Sequence, residues 1–129
     1  MKPLLVRRIA AIYGFLGVAL GAFGAHSLKP LLAHNETFDQ WNKAVLYHLI
    51  HAVALLAVAS TPRERAPKVA VLCFAVGIAI FSGSLYTLAI TNIRWLGAIT
   101  PFGGVAFLVG WGCLVCASDM RAPNSGNTP

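Results

Sequence analysis

Four uncharged stretches, each closed at both ends by a charged residue, constrain this chain more than anything else in it. They cover residues 9–28, 44–62, 69–93 and 95–118 of 129. A helix needs about 20 mainly apolar residues to cross a hydrocarbon core of roughly 30 Å, so each stretch is long enough to span. Lipid gives backbone groups no hydrogen-bond partners, which leaves helices or a closed barrel. Barrel strands alternate apolar and polar residues, and these stretches do not. The chain reads as an all-α integral membrane four-helix bundle in a single domain, residues 1–121. Its spans fall at about 9–28, 42–61, 68–91 and 99–118, and a polar tail at 122–129 is expected to be disordered.

Charge supports this class and orients the chain. Charged residues make up only 11% and mean hydropathy is +0.71, whereas a soluble domain carries about 25% charged residues. The net charge of +6 comes from basic residues at span ends rather than from a clustered basic surface, which argues against a nucleic-acid partner. Lys2, Arg7, Arg8, Arg63, Arg65, Lys68 and Arg121 lie on one side; Lys29, Lys43 and Arg94 lie on the other. Basic residues stay cytoplasmic, so both termini are expected inside an inner membrane, with 29–43 and Arg94 outside. The first apolar stretch also resembles a signal peptide, with Ala22-Phe23-Gly24 as a cleavage site. Its length, its glycine content and the charge balance of the other spans favour a retained helix.

Helix starts are marked at two places. Thr37-Phe38-Asp39-Gln40 fits a capping box, with the Thr37 hydroxyl serving the Gln40 backbone. Thr100-Pro101 places a capping threonine before a proline at the first helical position. Glycines form a stripe in span one (Gly14, Gly17, Gly21, Gly24) and recur in span four (Gly103, Gly104, Gly110). Such small-residue patterns mark close helix packing, and a dimer seam is the sharper alternative. Cys73, Cys113 and Cys116 sit in apolar helix without a polar pocket and read as small hydrophobes.

The polar residues inside the spans are the candidates for chemistry. His26, at the end of span one, and His48 and His51, in span two, lie in the outer half, with Tyr47 one turn before His51. Span three carries Ser82, Ser84 and Tyr86 at mid-depth, where each hydroxyl needs a partner. No carboxylate lies inside any span, so a serine nucleophile has neither base nor orienting acid, and enzymatic activity is not expected. The residues His26, Tyr47, His51, Ser82, Ser84, Tyr86 and Thr100 are expected to converge in a polar pocket just below the outer surface. No metal site and no cofactor are expected, because the histidines are accompanied by no further ligand and hydrogen bonding to the next helix satisfies them.

Four motifs are in addition recognisable. They are Gly21-Ala22-Phe23-Gly24-Ala25-His26, Tyr47-x-x-x-His51, Phe81-Ser82-Gly83-Ser84-Leu85-Tyr86, and Ile99-Thr100-Pro101-Phe102-Gly103-Gly104 leading to Gly110-Trp111. In this order they resemble the YgdD-like family of small membrane proteins. The resemblance implies a four-helix protein of the bacterial inner membrane with no established activity. It places His26 and His51 within the family pattern, and His48 and His34 outside it. The leading functional expectation is a non-enzymatic membrane protein binding a small lipid or quinone-like molecule. A haem, metal or proton-handling protein using His26, His51, Ser84 and Tyr86 is one alternative. A transporter subunit acting as a homo-oligomer, or with a membrane-protein partner, is the other.

Overall fold

The computed structural model describes residues 2–61 and 67–119. The disordered tail expected at 122–129 and the basic residues Arg63, Arg65 and Arg121 lie outside the described residues. All regular elements among the described residues are helical. The chain runs α1 (Pro3–Ala25), a short α2 (Lys29–Asn35), α3 (Phe38–Ser60), α4 (Lys68–Gly77), a π-helical segment (Ile78–Ser82), α5 (Gly83–Thr91), a 3-10 turn (Arg94–Ala98) and α6 (Thr100–Asp119). Helix α4, the π segment and α5 form one continuous third span, so four helices are long and apolar enough to cross a membrane.

Helix α1 begins at Pro3, ahead of the apolar stretch, because proline at the first helical position lacks only an N–H that would be unpaired anyway. Arg7 and Arg8 are therefore inside the helix. Arg7 Nε donates to the Ala59 carbonyl at 3.3 Å, placing a cation at the last turn of α3, where the helix dipole favours it.

Packing is unequal among the spans. Over their most apolar 18-residue stretches, half of the third span and 44% of α3 are buried, against 17% for α1 and for the fourth span. The inner pair is α3 and the third span; α1 lies on α3, and α6 lies on α4 and the π segment. Two apolar clusters fill the interior. One, near Arg7, joins Val6, Leu55, Phe74, Ile78 and Phe107. The other, near α2, joins Leu32, Trp41, Leu85 and Tyr86. The polar intramembrane residues lie in and between these clusters.

The glycines differ in what lies over them. A Cβ on Gly17 would lie 2.6 Å from Leu49 Cδ2, one on Gly21 would sit 3.3 Å from Val45, and one on Gly24 would enter the Trp41 ring. These three let α1 approach α3. Gly110 is likewise filled by Phe74, and Gly103 is pressed against the Phe81 backbone. Gly14 has nothing within 4 Å, and Gly104 meets only the Phe81 ring at 3.8 Å, so neither is a close contact. Leu20, beside Gly21, packs against the second cluster rather than facing lipid.

The capping box does not form. Thr37 Oγ1 turns away from Gln40 and donates to the Ala89 carbonyl at 2.9 Å. Asn35 Nδ2 joins it, donating to the Ala89 and Ile90 carbonyls at 3.0 Å each. The last carbonyls of α5 are orphans of the helix end, and at this depth they outbid an α3 terminus that has its own intrahelical geometry. Arg94 Nη2 then donates to the Asn35 carbonyl at 3.1 Å, so α2 is tied down on the end of the third span. Asn92 closes α5 in the left-handed region at φ 57°, a conformation asparagine tolerates better than most residues.

Candidate functional site

The intramembrane polar residues form separate pairs rather than one pocket. Helical phase explains why. Successive residues turn by about 100°, so Ser82 and Ser84 point roughly 200° apart, while Ser82 and Tyr86 nearly share a direction. Ser82 Oγ donates to the Ala44 carbonyl of α3 at 2.8 Å. Ser84 faces α6 instead, 2.8 Å from Thr100 Oγ1 and 3.0 Å from the Phe81 carbonyl. Tyr86 faces α3, its hydroxyl 3.2 Å from His48 Nδ1 and its ring tilted against Trp41. His26 caps the end of α1 on the exposed surface, so it does not reach the other members.

His48 and His51 serve opposite sides of α3. His48 is buried beside Tyr13 and Tyr86, and its Nε2 has no hydrogen-bond partner of acceptable geometry, although the Tyr13 main chain is near the ring. His51 turns toward α6. Its Nδ1 is 2.7 Å from the Tyr47 carbonyl and its Nε2 accepts from Trp111 Nε1 at 3.1 Å. An indole N–H only donates, so Nε2 is the acceptor and the ring proton sits on Nδ1, donated to the carbonyl. The imidazole also lies flat on Phe107, with ring centroids 3.5 Å apart. Both nitrogens and one face of His51 are thereby engaged.

Between α3, the π segment and α6 lies a partly open groove of about 440 Å³. Tyr47 and His51 form its α3 wall and Phe81 its floor. Pro101, Gly104, Leu108 and Trp111 run along its α6 wall. Of the seven residues expected to converge, Tyr47 and His51 line this groove. Ser84 and Thr100 pair with each other, Ser82 and Tyr86 bind α3, and His26 is exposed.

Sequence reasoning missed Phe107, which stacks on His51, and gave His48 too little weight. A signal for the first existed. Tyr47 and His51 are four residues apart, as are Phe107 and Trp111. Two such ladders on spans that both pack on the third helix can face one another. The π segment had no comparable signal, because its extra residue per turn leaves the apolar composition unchanged.

The comparisons with known proteins agree with this architecture. The family described as protein of unknown function (DUF423) matches residues 20–104, which include α2, α3 and the third span. The UPF0382 membrane protein YwdK of Bacillus subtilis is 44% identical over 115 residues, covering 85% of this chain and 92% of its own. The UPF0382 membrane protein SSP2132 of Staphylococcus saprophyticus is 44% identical over 110 residues, 83% of this chain and 90% of its own. The UPF0382 inner membrane protein YgdD of Escherichia coli is 40% identical over 121 residues, 91% of this chain and 90% of its own. No solved structure matches significantly. The chain is a multi-pass inner-membrane protein, and it belongs to this uncharacterised family of small membrane proteins.

Proposed function

We propose that this protein is a non-enzymatic membrane component that holds one small lipid or quinone-like ligand in the groove between α3 and α6, with both termini in the cytoplasm. The observation that carries the reading is the groove itself. Its volume of about 440 Å³ falls within the range of ligand sites, roughly 300–1,000 Å³, and its walls are apolar and aromatic with few polar groups. The wall is also preorganised. The Trp111–His51–Tyr47 chain of hydrogen bonds and the His51–Phe107 stack hold three of its side chains in place.

A haem or metal reading through His26 and His51 has less support. Axial ligation by His51 would require breaking its bond from Trp111, and His26 is on a different surface. Catalysis has no support from the third span, since the Ser82 hydroxyl is committed to a carbonyl and the Ser84 hydroxyl to a carbonyl and Thr100. Gly104 supplies the test. Gly104 lines the groove and a Cβ there makes only an ordinary contact with the Phe81 ring at 3.8 Å, so Gly104→Phe is the substitution designed to fill it. Native mass spectrometry of protein extracted in mild detergent should find a lipid-sized ligand on the wild type and not on this variant. Equal ligand occupancy in both would refute the groove as the site.

A further inference from the structure

We draw no further inference here: the strongest candidate, the pair of thiols Cys73 and Cys113 where α4 packs on α6, carries nothing, because among the described residues it has neither a third metal ligand nor a cation beside it to activate either thiol.

Discussion

Gly103 and Gly104 are neighbours on one helix, yet the structure gives them opposite tolerance for a methyl group. A Cβ on Gly103 would lie 2.8 Å from Phe81 Cα and against the Phe81 main-chain nitrogen, and neither atom can rotate away. A Cβ on Gly104 would meet only the Phe81 ring, at 3.8 and 3.9 Å, an ordinary contact. Replacing glycine by alanine inside a helix stabilises by roughly 0.5–1 kcal/mol through backbone entropy alone. That gain is common to both positions and cancels in the difference. What remains is the overpacking at Gly103, about 1–3 kcal/mol. Gly104→Ala should therefore be more stable than wild type, and Gly103→Ala should be less stable than Gly104→Ala by about 1–3 kcal/mol. Unfolding in mixed micelles of rising dodecyl sulfate fraction, followed by far-UV circular dichroism, measures both. Equal midpoints for the two variants, or a higher midpoint for Gly103→Ala, would refute the close approach of α6 to the π segment.

Other perturbations follow from named partners. Tyr86→Phe strips His48 Nδ1 of its partner in a buried site, and should destabilise by about 1–3 kcal/mol in the same unfolding assay. Trp111→Phe removes the donor to His51 Nε2, and a similar loss of about 1–3 kcal/mol is expected in that assay. Thr37→Val frees one bond to the Ala89 carbonyl, so amide exchange near the end of α5 should quicken while exchange in α4 stays unchanged. Both termini are expected in the cytoplasm, so a phosphatase reporter fused after Arg121 should be inactive; an active one would reverse the orientation.

Much of the fold was legible because lipid removes alternatives. Uninterrupted apolar length dictates helices, and the charges flanking each stretch located their ends to within a few residues. The exception, α1 starting at Pro3, arose because Arg7 and Arg8 looked like flanking charges. Arg7 is in fact a helical residue reaching the Ala59 carbonyl. Thr37 misled for a related reason. A capping box is a local pattern, and a carbonyl on another helix 52 residues away competes successfully for the same hydroxyl.

The site was less legible. Listing polar residues by depth suggested one pocket, but depth says nothing about rotation about the helix axis. Phase separates Ser84, which meets Thr100, from Ser82 and Tyr86, which meet α3. It also sends His48 toward Tyr13 and His51 toward Trp111. Only the neighbours on each side decide which residues meet, and those neighbours are a tertiary fact. Glycine was readable as a class and not position by position: Gly17 and Gly14 look alike in sequence, yet only Gly17 has a side chain lying over it.

Photocrosslinking in intact membranes tests the groove most directly. Leu108 borders the groove and Phe15 faces outward from α1, and they are similarly exposed at 73% and 75%. A benzophenone amino acid at either position should capture lipid. If the groove holds a ligand, adding Gly104→Phe should sharply reduce lipid capture at position 108 and leave capture at position 15 unchanged. Unchanged capture at both positions would contradict the account, because it would mean that Leu108 meets the same bulk lipid as Phe15.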